Sequence, residues 1–152
     1  MPRAGFYAIH NSSIRFGRDG RWYADGQPIT NARIADLFAR HVERASDGTY
    51  RLRIADEQAP IEVEDTPYVV VAAGEDDGEL WIELNDHSRE ALAVESLAVG
   101  ADDVLYCRVR GGSEPARFLR PAYYQLAPRI DALPGGGFAI RSGDRTHLIG
   151  RR

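Results

Sequence analysis

The stretch "QPITNARIADLFARHVERASDGTYRLRI", from Gln27 to Ile54, returns in altered form as "ARFLRPAYYQLAPRIDALPGGGFAIR", from Ala116 to Arg141, about ninety residues later. Setting Ile29 against Phe118 aligns Ile34 with Tyr123, Leu37 with Leu126 and Arg40 with Arg129. One residue is then dropped, after which Gly48 meets Gly136, Tyr50 meets Phe138, Leu52 meets Ile140, Arg53 meets Arg141 and Ile61 meets Ile149. A unit this small cannot bury its apolar face alone, so two copies packed together are the expected solution. Each copy reads as hairpin, helix, hairpin. The pattern predicts an α+β fold, mostly antiparallel β with two helices, built by internal duplication. Residues 1–74 form the N-terminal unit and 75–152 the C-terminal one, packed as one compact globule. Apolar matches are what any two helix-plus-strand units share. The Arg53 and Arg141 match is more telling, because an outward strand position has no core-packing reason to agree.

Local signals fill in the plan. Strand-like runs at Ser13–Phe16 and Arg21–Ala24 flank "GRDG", whose Asp-Gly pair tolerates the positive φ of a tight hairpin turn. Thr30 or Asn31 can cap the first helix, because a short polar side chain accepts from the free N–H groups of a first turn. Ile34, Leu37, Phe38, His41 and Val42 fall at helical spacing, and Asp47-Gly48 is the predicted stop. "TYRLRI" alternates apolar and arginine residues as a half-buried strand, with "APIEVED" as its hairpin partner. Thr66-Pro67 breaks that run before the buried strand "YVVVAA". "GEDDGE" (Gly74 to Glu79) reads as an acidic loop between the halves. "LWIEL", "REALAV" and "DVLYCRV" supply further strands. The second helix starts at Pro121 with an apolar face of Tyr123, Leu126, Ala127, Ile130 and Leu133, and Pro128 should kink it or end it early. "GGGFAIRSGDRTHLIG" closes the chain with a hairpin turning at Ser142–Asp144.

Composition excludes several chemistries. All 19 basic residues are arginine, so a Schiff-base lysine, a pyridoxal-phosphate anchor, a Walker A lysine and an SxxK acylation site are ruled out. The single cysteine, Cys107, rules out an internal disulfide and a thiolate zinc cage. It lies between Leu105 and Val109 on the core face of its strand, where a thiol is inert. His10, His41, His87 and His147 show no metal-ligand spacing. A net charge of −4 speaks against a nucleic-acid polymer or an anionic membrane as partner. The start "MPRAGFYAIHNSS" has no apolar core of a signal peptide, so the expected location is cytoplasmic. No cofactor is implied.

"DGRWYADGQPI", "IEVEDTPYVV", "LYCRVRGG" with "ARFLRPAYYQLA", and "FAIRSGD" resemble, in order, the successive motifs of bacterial domain-of-unknown-function family 1285. The resemblance runs from about Ile14 to Ile149. It implies a duplicated, mostly β architecture whose second half is loosely like a pleckstrin-homology barrel. It also implies a cleft between the halves for a nucleotide-like ligand, and a role in signal transduction. No catalytic residue is established for the family, and none is carried over.

The candidate ligand-binding residues are Arg51, Arg53, Arg108 and Arg141, with Arg110 on another outward strand position, and the aromatics Tyr106 and Trp22. Guanidinium holds phosphate or carboxylate by forked, charge-assisted bonds. Arg53 and Arg141 would meet near a pseudo-twofold axis and clamp one anion. The competing reading makes these arginines exposed strand residues paired with Glu62, Glu64 or Asp144. Tyr106 shares the Arg108 face and could stack on a base, or serve as a cross-strand partner. Acids among Glu64, Asp65, Asn85 and Asp86 are either ligand-facing or turn-forming. The leading reading is a non-enzymatic module for a small anionic, nucleotide-like ligand. A protein-interaction or homodimerisation domain comes second, and a hydrolase with a carboxylate pair third.

Overall fold

The structure is a computed structural model and describes residues 12–152; His10 and most of the leading segment lie outside them. The chain divides into two compact units at Pro67/Tyr68. The first unit holds β1 (Ile14–Phe16), β2 (Trp22–Ala24), β3 (Gln27–Pro28), α1 (Ala32–Ala39), β4 (Val42–Arg44), β5 (Tyr50–Ile54) and β6 (Glu57–Val63). Its six strands form one sheet in the order β3-β2-β1-β6-β5-β4. All neighbours are antiparallel except β1 and β6, which run parallel with Ile14 opposite Ile61 and Phe16 opposite Val63.

The second unit opens with β7 (Tyr68–Asp76), β8 (Glu79–Leu84) and β9 (Arg89–Ala91). There follow β10 (Ala98–Val99), β11 (Leu105–Val109), β12 (Glu114–Phe118), α2 (Arg120–Leu126), β13 (Ile130–Ala132), β14 (Phe138–Ser142) and β15 (Arg145–Arg151). The sheet order is β13-β14-β15-β10-β11-β12-β7-β8-β9. Here β15 runs parallel to β10, and β12 parallel to β7. The order ends in β13 and β9 and does not close, unlike the barrel the resemblance implied. The fold is α+β and mostly antiparallel, as expected, with three parallel contacts that make the sheets mixed.

From β10 to β15 the second unit repeats the strand order of β1 to β6. The register repeats as well: Val42 faces Leu52 as Ile130 faces Ile140, and Tyr50 faces Ile61 as Phe138 faces Ile149, 88 positions apart in each case. The helix starts, Ala32 and Arg120, are also 88 apart. No residue is dropped, and the sequence register of the helices shifts by one, so that Phe38 corresponds to Leu126 and Ala35 to Tyr123.

Both helices are shorter than their apolar spacing predicts. Asn31 does cap α1, its Oδ1 accepting from Arg33 N and Ile34 N at 2.9 and 3.2 Å. The helix nevertheless ends at Arg40. His41 Nδ1 lies 2.7 Å from the Leu37 carbonyl, and Val42 enters β4. In the second unit, Pro128 sits in a 3-10 turn over Ala127–Arg129, and Ile130 enters β13. Val42 and Ile130 fit helical spacing, but as β-branched residues they also suit a pleated edge.

"GEDDGE" is not a linker between halves. Asp77 and Gly78 have φ of 50° and 85°, the two-residue turn that joins β7 to β8 inside the second unit. The units divide earlier because Tyr68 already pairs with Ala116 of β12. Gly74 is required by Trp81, whose ring would lie 2.4 Å from an added Cβ.

Asp86, 8% exposed, anchors the turn after β8 by accepting from Ser88 N and Oγ, and it pairs with the Arg110 guanidinium. That guanidinium lies 4.8 Å from the Tyr68 ring centroid. Arg110→Ala should therefore leave a buried carboxylate unpaired and cost ~2 kcal/mol, read as a lower urea midpoint at unchanged slope. Arg110→Ala/Asp86→Ala should recover part of that loss.

Candidate functional site

The residues singled out from the sequence are engaged inside their own units. On β5, Arg51 Nε and Arg53 Nε both donate to Glu43 Oε1, at 2.6 and 2.9 Å. On β14, Arg141 Nε donates to Asp131 at 3.0 Å and its Nη2 to the Pro128 carbonyl at 2.6 Å. Glu43 and Asp131 are themselves 88 apart, so one diagonal ion pair recurs in both units. This supplies the physical reason for the Arg53 and Arg141 match, and the acids are these two rather than Glu62, Glu64 or Asp144.

Arg108 folds over its own turn, donating to the Gly112 and Ser113 carbonyls at 3.0 and 3.1 Å. Tyr106 carries the Arg152 guanidinium 3.9 Å from its ring centroid, and its hydroxyl accepts from Arg117 at 3.2 Å. Trp22 is 2% exposed and packs on Phe16 and Phe38, with centroids 4.7 and 5.5 Å away. Glu64 accepts from Arg18 N, and Asn85 Oδ1 from Val69 N, so both hold turns in place. Burial pushes the Cys107 thiol up to about 12, which keeps it protonated and unreactive.

The chemistry-bearing hollow lies in the second unit and was not found from the sequence. A groove of about 430 Å³ is lined by Asp102, Asp103, Arg117, Arg120, Tyr123 and Tyr124. It shares Asp103, Leu105 and Tyr123 with an apolar recess of about 120 Å³, otherwise walled by Val99, Ile130, Phe138 and Ile149. Three pieces of chain position these groups. The 3-10 turn before β11 carries Asp102 and Asp103, both at positive φ (58° and 57°). Strand β12 carries Arg117, and the first turn of α2 carries Arg120, Tyr123 and Tyr124. Tyr124 is 64% exposed. The side chains of Asp102, Asp103 and Arg120 make no hydrogen bond or ion pair with another described residue. Among the described residues no three His, Cys, Asp or Glu converge as for a metal ion, and no helix is long and apolar enough to cross a membrane.

The doubly bonded Glu43 sets a pH response. Hydrogen bonds from Arg53 and Arg51 hold its carboxyl below its usual value of 4.5. A lowered folded value means the contribution is present above about pH 4.5 and lost as pH falls through the folded value. Glu43→Gln should therefore melt with a shallower dependence on pH below 4.5 than the native chain, read by calorimetry from pH 3 to 6. Parallel curves would show that the pair contributes nothing.

Comparison with known proteins places the fold. Residues 7–66 match the model of the N-terminal domain of DUF1285, a domain of unknown function. Two crystal structures share the architecture. A DUF1285 family protein from Silicibacter pomeroyi DSS-3 has a TM-score of 0.68 at 21% identity, over 91% of this chain and 80% of that one. One from Shewanella baltica OS155 has a TM-score of 0.61 at 21% identity, over 78% of this chain and 92% of that one. No curated protein matches the chain. The first unit thus matches the DUF1285 N-terminal domain in sequence, and the fold of the chain is like that of two solved DUF1285 family proteins.

Proposed function

We propose that this protein is a non-enzymatic binding module for a small anionic ligand, held in the groove of the second unit. The observation that carries this reading is Arg120. Its guanidinium lines the groove without bonding to any described residue, whereas Arg51, Arg53, Arg108, Arg110 and Arg141 are committed to neighbours. An uncommitted guanidinium at a concave surface is a ready donor for carboxylate or phosphate. Tyr123 and Tyr124 supply aromatic faces beside it, with ring centroids 5.8 Å apart. Nucleotides belong to the class on these grounds, and a ligand-gated part in signal transduction is the role such a module would serve.

A second reading, a protein-interaction or dimerisation surface, draws on Leu148 and Tyr124, exposed to 73% and 64%. A thermal-shift series with nucleotides, simple phosphates and carboxylates separates the two. A ligand at about a hundred times its Kd should stabilise the native protein by roughly 2.7 kcal/mol, and Arg120→Ala should remove most of the shift. No shift with any anion, together with concentration-dependent self-association, would favour the interaction surface.

A further inference from the structure

The two units share a register, so their cores can be compared position by position. Across the first hairpin Phe16 faces Trp22 as Val99 faces Leu105. Across the parallel contact Phe16 faces Val63 as Val99 faces Arg151, the latter partners again 88 apart. Phe38 of α1 corresponds to Leu126 of α2. The fully packed aromatic block of the first unit, Phe16, Trp22 and Phe38, is thus replaced in the second by Val99, Leu105 and Leu126. Three large rings give way to three smaller side chains, and the apolar recess opens beside Val99 and Leu105. At the mouth the difference runs the other way: Ala32 and Ala35 of the first unit correspond to Arg120 and Tyr123.

The recess and groove meet at Asp103, which lines both. The walls order three chemistries: an apolar recess of about 120 Å³, a carboxylate at the junction, and Arg120 with Arg117 beyond. A cavity of about 150 Å³ is enough to hold a benzene ring, so the recess suits one branched alkyl group or part of a ring. A nucleobase there would face aliphatic walls with its polar edges unpaired, which costs free energy. A bare anion would meet Asp102 and Asp103 as well as the arginines. A ligand that satisfies all three carries a positive charge between its apolar group and its anionic group.

We propose that the groove takes a free α-amino acid with an apolar side chain, of the leucine or phenylalanine class. The side chain enters the recess, the ammonium meets Asp103, and the carboxylate meets Arg120 and Arg117. This rests on the anion-binding reading above and narrows it. A peptide terminus, which offers one of the two charges, falls outside the assignment.

Isothermal titration of the whole chain tests it, with L-leucine, L-phenylalanine, glycine, 3-phenylpropanoate, phenylalanine amide, inorganic phosphate and adenosine monophosphate as probes. Leucine or phenylalanine should bind at least about tenfold tighter than any probe lacking the ammonium, the carboxylate or the side chain, since each charge-assisted bond is worth about that factor. Asp103→Asn should weaken phenylalanine about tenfold and should not weaken 3-phenylpropanoate, whose carboxylate loses a like-charged neighbour. Leu105→Trp, which installs the first unit's residue, should abolish binding without lowering Tm. Because the probe series uses the native protein, a misfolded variant does not decide the matter. If 3-phenylpropanoate, phosphate or the nucleotide binds as tightly as phenylalanine, the amino-acid assignment is overturned and the anion reading stands. If no probe binds, both are overturned.

Discussion

The six matching strands of each unit depend on one short parallel contact between the first and last of them, β1 with β6 and β10 with β15. Parallel neighbours cannot be joined by a tight turn, so the intervening chain must cross over, and in both units the crossover carries the helix. The contact itself is slight, three residue pairs in the first unit and two in the second. A ladder so short contributes little without apolar packing behind it. The residue that sits on it, Phe16 or Val99, therefore decides how its unit is filled.

One frame is filled in two ways. In the first unit Phe16 and Phe38 are fully buried and Trp22 nearly so, and the three rings pack face and edge. In the second, Val99 stays half-buried at the lip of the recess. A closed void of 120 Å³ would cost on the order of 3 kcal/mol, a large share of a small unit's stability. Opening the void to solvent lowers that penalty but forfeits the packing the aromatic block enjoys. The remaining core, with Val70, Ile82, Leu84, Val109, Ala116 and Ile140 closed to solvent, is extensive enough to carry it.

Much of the fold was legible where one signal acted alone. Asn31 capped its helix, the Asp19-Gly20 and Ser142–Asp144 turns formed hairpins, and the alternation of "TYRLRI" gave β5 its buried Leu52 and Ile54. It failed where two periods overlapped. Val42 stands four residues after Phe38 and Ile130 four after Leu126, so helical spacing ran on into what became strands. Strands of two or three residues, such as β3, β10 and β13, are too short to show any period. The groove was illegible for a further reason: its walls come from positions between Val99 and Ile149, and its recess exists because bulk is missing. The signal was present in the repeat, but it required the register of β1 against β10. The second hairpins, closing Tyr23 on Pro28 but Tyr106 on Arg117, differ in length and concealed that register.

The arginines show how agreement and difference between the units should be read. Arg53 and Arg141 agree because each sits diagonally across from an acid, Glu43 or Asp131, on the neighbouring strand. Exposed pairs of this kind add little stability. Their use lies in register, because a one-residue slip would turn the arginine to the opposite face from its acid. Taking a ligand's anion would strip Arg141 from both Asp131 and the Pro128 carbonyl, and those losses offset the gain. Arg120 has no such bond to break, and its counterpart in the first unit is Ala32. What the units share is thus accounted for by holding strands in place. What the second unit alone possesses, an uncommitted guanidinium beside an opened core, is the part that folding does not require.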